Sequence, residues 1–301
     1  MKRLLAALAA AVMAIAFLAA CEKSASPTGS PAASDRNALR VVTLAPNLAE
    51  LMFAADAGDQ LVGVSAYTDF PPAAAKLPVI GDAFAIDQEQ LLLLKPDVLL
   101  AWDEGTPRHM LDQLRDAGFR VEVIGTSGLE DVAEALERIG DLTGNPQQAK
   151  QAAQHYRQQI AALREHYEDA DTVSVFYQIS SRPLFTVNGS HYISELLELC
   201  GGQNIFSDLN ELAPMVDVEA VLSRNPEVML AAKDATEDAF DDWNNWPGMA
   251  ANRYGNRFFM PAAEIGRATP RLVAAGEAVC EALKIARDNR REYLRVQEDV
   301  N

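Results

Sequence analysis

Residues 87–101 (DQEQLLLLKPDVLLA) and 217–231 (DVEAVLSRNPEVMLA) are two copies of one pattern. Each opens on an acidic residue, has a glutamate two positions later (Glu89, Glu219), a proline seven beyond that (Pro96, Pro226), and then an apolar run. An acidic cap, a short helix, a proline that ends it and a buried strand make a helix–Pro–strand unit. Between the copies lies 145–170 (NPQQAKQAAQHYRQQIAALREHYEDA). Asn145 suits the N-cap and Pro146 the first helical position. Ala149, Ala152, Ala153, Tyr156, Ile160, Leu163 and Tyr167 then mark one face at three-and-four spacing, with no later Gly or Pro. Such a helix is about 35 Å long at 1.5 Å per residue. Two similar lobes joined by a rigid rod are expected.

Both flanks alternate strand and helix, the pattern of α/β units with a mainly parallel sheet. Strands are expected at 40–44, 61–65, 98–101 and 120–124 before the rod, with helices at 48–57, 87–94, 107–117 and 129–142. After it come strands at 172–178, 228–231 and 257–260, and helices from 190 to 200, at 218–222 and at 270–287. The acidic stretch 234–242 reads as mobile, and the charged tail from 288 as solvated or frayed.

The N-terminus reads as an address. Lys2 and Arg3 precede an apolar run, 4–18, that is shorter than the ~20 residues of a spanning helix. Leu18-Ala19-Ala20-Cys21 then resembles a bacterial lipobox, implying a signal peptide over 1–20 and a lipidated Cys21. Residues 21–38, rich in Ser, Pro, Ala and Gly, are expected to form a flexible linker. The remaining boundaries are a lobe over 39–143, the connecting helix over 144–170 and a second lobe over 171–301. A formal net charge of −17 argues against nucleic acid and anionic membrane surfaces as partners. With Cys21 acylated, Cys200 and Cys280 are the two cysteines left. In an exported protein they are expected to pair, the alternative being two buried free thiols.

Nothing in the sequence supplies bond-making chemistry. His109, His155, His166 and His191 show no metal-ligand spacing, and no HExxH, GxSxG or phosphate-cradling glycine loop is present. The expectation is a binding protein with no catalytic residue, no metal and no cofactor of its own.

The runs Thr43-Leu44-Ala45-Pro46-Asn47, Glu50-Leu51, 63–72 (GVSAYTDFPP), 94–98 (LKPDV), Ala101-Trp102, 199–206 (LCGGQNIF) and 267–271 (RATPR) carry a resemblance. Together they resemble the periplasmic vitamin B12 (cobalamin) binding proteins of ABC importers, over about 40–283. The resemblance implies the helical-backbone (class III) substrate-binding fold, two Rossmann-like lobes on one long α-helix with ligand held between them. It also places a disulfide at the Cys200 and Cys280 positions. Tyr67, Trp102, Phe185 and Arg267 fall on positions that line the family's corrinoid cleft, where aromatic faces suit a flat macrocycle and an arginine can reach its amide rim. Two cleft tryptophans of the family stand here as Ala83 and Ala213, and an aspartate four residues before Arg267 is Ala263, beside Glu264. Phe84, Trp243 and Trp246 are candidates to compensate.

Glu89 and Glu219 match the family's docking glutamates, one per lobe, which pair with arginines of the permease. The implied function is a lipid-anchored periplasmic receptor, itself monomeric. It would deliver cobalamin or a related corrinoid to the permease and ATPase subunits of an inner-membrane ABC importer. A haem or ferric-siderophore receptor of the same fold is the alternative. An anionic siderophore would want cleft cations, for which Arg182 and Arg267 are the candidates.

Overall fold

Four short runs of β-branched and aliphatic residues form the first sheet: β1 (Val41–Thr43), β2 (Leu61–Gly63), β3 (Val98–Trp102) and β4 (Val121–Ile124). Their order is β2-β1-β3-β4 and every pairing is parallel. The computed structural model describes residues 38–233 and 239–300; the expected signal peptide, Cys21 and nearly all of the linker lie outside them. The helices of this lobe are α1 (Pro46–Ala54), α2 (Gln88–Leu94), α3 (Arg108–Asp116) and α4 (Leu129–Thr143). Helix α1 (PNLAELMFA) is apolar almost all round and is buried from Asn47 to Met52, which is what such a helix requires.

The rod is a single unbroken helix, α5 (Pro146–Tyr167), about 33 Å long. Four residues of the stripe anticipated from sequence, Ala149, Ala153, Tyr156 and Ile160, are buried, and the other three, Ala152, Leu163 and Tyr167, are partly buried against the same core. The cap differs from expectation. Asn145 makes no capping bond; its Nδ2 donates to the Asp56 carbonyl at 2.7 Å, tying the helix start to the end of α1.

Beyond the rod, β5 (Val173–Gln178), β8 (Gly202–Asn204), β9 (Val228–Lys233) and β10 (Arg257–Pro261) form a second parallel sheet ordered β10-β9-β5-β8. Read from the other edge, this is the order of the first sheet. A small antiparallel hairpin, β6 (Ser180–Ser181) and β7 (Leu184–Phe185), follows β5 and was not anticipated. The helices are α6 (Tyr192–Leu199), α7 (Val218–Arg224), α8 (Ala250–Tyr254), α9 (Ala262–Ile265) and α10 (Leu272–Val300).

The repeat holds down to its caps. Asp87 accepts from the Gln90 amide at 2.9 Å and Asp217 from the Ala220 amide at 2.7 Å. Lys95 and Asn225, each just before its proline, end α2 and α7 in the left-handed conformation.

One expectation needs correction. The tail from 288 is solvated, most of 291–299 being exposed, but it is not frayed: it continues α10 to Val300. Arg291–Asp288 and Arg295–Glu292 ion pairs one turn apart support it, and Arg290 reaches Glu227 at 2.9 Å. Of the acidic stretch, Ala239 and Phe240 are buried and Asp241 and Asp242 are exposed; residues 234–238 lie outside the described set. Cys200, at the end of α6, and Cys280, in α10, form a disulfide with Cα atoms 4.8 Å apart.

Candidate ligand-binding cleft

In an open parallel sheet, the carboxyl ends of the strands at the point where chain order reverses leave a crevice. In the first lobe that point lies between β1 and β3. A concavity of about 400 Å³ opens there, lined by Leu44, Ala45 and Pro46 after β1, Ser65, Ala66 and Tyr67 beyond β2, and Trp102 at the end of β3. Asp82, Ala83, Phe84, Gly105 and Thr106 complete it.

Each ring is held differently. Trp102 is pinned: its indole N–H donates to Thr126 Oγ1 at 2.9 Å and its amide to Thr106 Oγ1 at 3.1 Å. Gly105 lies against the indole, where a Cβ would collide with the ring. Phe84 is 87% exposed at the tip of a turn in which Asp82 Oδ1 accepts from the Phe84 and Ala85 amides at 2.8 and 2.9 Å. Tyr67 is 81% exposed and sits at φ +65°, a conformation that costs a non-glycine residue about 1–2 kcal/mol and persists only where neighbours impose it. Three rings thus share one opening, with Ala83 beside Phe84 in its lining.

Arg267 does not stand free in the cleft. From the second lobe its Nη1 donates to Glu50 Oε1 at 2.8 Å and to Asp69 Oδ1 at 2.5 Å, and its Nη2 to the Tyr67 carbonyl at 3.1 Å. The hydrogen bond from Arg267 holds the Asp69 carboxyl below its ordinary range. Glu50, buried in α1, also accepts from Thr269 Oγ1 at 3.1 Å. Arg271 sits over the Phe70 ring at 4.4 Å and pairs with Glu264. Sequence reasoning missed Glu50 as a site residue. Its signal was a carboxylate on an otherwise apolar helix.

The other candidates fall elsewhere. Phe185 lies on the β6–β7 hairpin, bridged to Met215, and does not line this concavity. Trp243 does not compensate for lost cleft rings: it is 2% exposed, packed against Phe176, with its indole N–H on Gln178 Oε1 at 2.7 Å. Trp246 is partly buried against the same core. Glu89 and Glu219 are exposed on α2 and α7, and among the described residues neither carboxylate takes an ion pair. A larger depression of about 670 Å³, lined by Asp103, Glu104, Arg108, Asp112 and Arg115 among others, is polar and has no ring. Among the described residues, no group of three or more His, Cys, Asp and Glu could hold a metal ion, and no helix is long and apolar enough to cross a membrane.

The family model for periplasmic binding proteins matches residues 41–263. The chain belongs to that family. It is a binding protein, not an enzyme. Its relatives include the vitamin B12-binding protein of Vibrio cholerae, 36% identical over 248 residues, which are 82% of this chain and 90% of that one. The crystal structure of the periplasmic vitamin B12-binding protein BtuF of Vibrio cholerae superposes with a TM-score of 0.76 at 35% identity, covering 83% of this chain and 98% of that one. The periplasmic haem-binding protein RhuT of Roseiflexus sp. RS-1, at TM-score 0.73 and 21% identity, covers 83% and 99% and shares the fold. The two lobes on one helix are therefore the class III architecture of periplasmic binding proteins.

Proposed function

We propose that this periplasmic binding protein is the lipid-anchored receptor of an ABC importer, capturing cobalamin or a related corrinoid between its lobes and handing it to the permease. The observation that carries the reading is the wall of three rings at the carboxyl ends of β1–β3. Faces of Tyr67, Phe84 and Trp102 suit a broad, flat, largely apolar macrocycle. The vitamin B12-binding relatives at 36% identity support the same ligand class. Phe185 and Arg267 belong to the facing side in this reading. A ferric siderophore fits less well, because its candidate cations are engaged: Arg182 Nη2 donates to both carboxylate oxygens of Asp242, at 2.9 and 2.8 Å, and Arg267 lies on Glu50 and Asp69. Membrane attachment rests on Leu18-Ala19-Ala20-Cys21.

Because α5 is continuous, lobe closure on binding is modest. Glu89 and Glu219, at matching sites in the repeat, are the contacts to the permease, one per lobe, suiting a two-fold symmetric partner. Protein purified from its native envelope should show a corrinoid absorption spectrum. A Soret band would select the haem reading instead, and neither signal after growth on cobalamin would contradict both. Glu89→Lys with Glu219→Lys should abolish uptake while cyanocobalamin affinity stays intact; lost affinity would refute the separation of roles.

A further inference from the structure

The segment that carries Tyr67 is tied to its own lobe only up to Ala66, whose N–H donates to the Gly81 carbonyl at 2.7 Å beyond a β-bridge at Val64. From Tyr67 to the turn at Ala74–Lys76 it forms no strand or helix, and Thr68 Oγ1 meets Ser65 Oγ only at a long 3.4 Å. Yet Tyr67 keeps a left-handed backbone and points its ring outward. From Tyr67 onward the side-chain grip comes from the opposite lobe. Arg267 holds the Tyr67 carbonyl and the Asp69 carboxylate, while Arg271 covers the Phe70 ring. Arg267 is seated on one residue of the first lobe, Glu50, whose Oε1 accepts from it at 2.8 Å; Arg271 reaches the same oxygen only at 3.5 Å and is held chiefly by Glu264. The other oxygen of Glu50 takes the Thr269 hydroxyl, so the buried carboxylate is satisfied on both sides.

We propose that Glu50 is a positioning residue for ligand binding: through Arg267 it fixes the Tyr67–Phe70 strap and so sets the tilt of the Tyr67 ring. The proposal rests on the reading that the ring wall is the ligand face. A planar guanidinium shared between Glu50, Asp69 and a backbone carbonyl has little rotational freedom left. With glutamine at position 50, the buried charge that holds Arg267 is gone while the shape stays, and only the exposed Asp69 carboxylate still pairs with it. The strap then samples other conformations, and only a fraction of molecules present Tyr67 correctly.

Two measurements on the full chain test this. In ligand-free protein carrying fluorotyrosine, the ¹⁹F resonance of Tyr67 should shift or broaden in Glu50→Gln and less so in Asp69→Asn, an exposed change that leaves the buried carboxylate untouched. Resonances unchanged in both variants would overturn the positioning whatever the ligand proves to be. Cyanocobalamin affinity should fall about tenfold in Glu50→Gln and about threefold in Asp69→Asn, yet less than twofold when Glu50→Gln is added to Tyr67→Ala. An equal loss with and without the Tyr67 ring would overturn it, since Glu50 would then act through general stability or lobe geometry. Tyr67→Ala binding as well as the parent protein would overturn both this proposal and the wall reading.

Discussion

The two lobes share a strand order and a capped helix–Pro–strand unit, but they use the carboxyl ends of their central strands differently. In the first lobe the point between β1 and β3 opens onto three rings, one of them the pinned Trp102. In the second, the end of β5 is closed. Gln178 takes the Trp243 indole on its oxygen and donates to the Ala239 carbonyl at 2.7 Å, burying in the core a tryptophan that could have faced ligand. One scaffold thus yields a ring-lined opening and a structural plug. The strand frame sets where a crevice can be, and the residues just past the strand ends decide whether it stays open.

The comparison can be broken at several points. The largest effect concerns the cross-link that only the second lobe has among the described residues. Replacing Cys200 and Cys280 by serine releases a loop with a sequence separation of 80 and should lower stability by ~4–5 kcal/mol on the chain-entropy model. Hydrogen exchange should show the lost protection concentrated in β5 and β8–β10; equal loss in β1–β4 would mean the lobes are not separable. Next, Trp243→Ala should cost ~3–5 kcal/mol of unfolding free energy, with the affinity of the folded fraction unchanged. A large drop in cyanocobalamin affinity there would make Trp243 a ligand residue after all.

A pH effect also belongs to the second lobe. Burial holds the His191 imidazole neutral, its pKa lowered to about 4, while its Nδ1 accepts from the Ile193 amide at the start of α6. The unfolded chain binds this proton near pH 6.5, so stability is full above that value and falls as pH drops toward 4, by about 2–3 kcal/mol. His191→Asn keeps a capping oxygen and removes the titration. Denaturant midpoints should then vary less between pH 6.5 and 4; an unchanged profile would assign the acid sensitivity elsewhere. The smallest effect is that of Phe185→Ala, which should weaken cyanocobalamin by about fivefold, near 1 kcal/mol. A loss above a hundredfold would shift the main wall to the second lobe.

What was legible in the sequence was local. The repeat could be read because an acidic cap, a proline and an apolar run act over fifteen residues, and the rod because its small apolar face recurs without interruption. The end of α10 was not legible, since beyond Arg287 its turns are charged and held by ion pairs that hydropathy does not register. Nor was the destination of Trp243, because burial depends on partners such as Gln178, 65 residues away. Glu50 and Arg267 meet across 217 residues. No spacing rule joins two residues that only the docking of the lobes brings together.

The account turns on the first-lobe rings taking a corrinoid. Calorimetric titration of the mature chain with cyanocobalamin, repeated on Trp102→Ala, tests it most directly. Saturable binding is predicted for the parent protein, weakened about thirtyfold or more by the substitution, near 2 kcal/mol. No heat up to high micromolar ligand, or equal affinity in the two proteins, would contradict it.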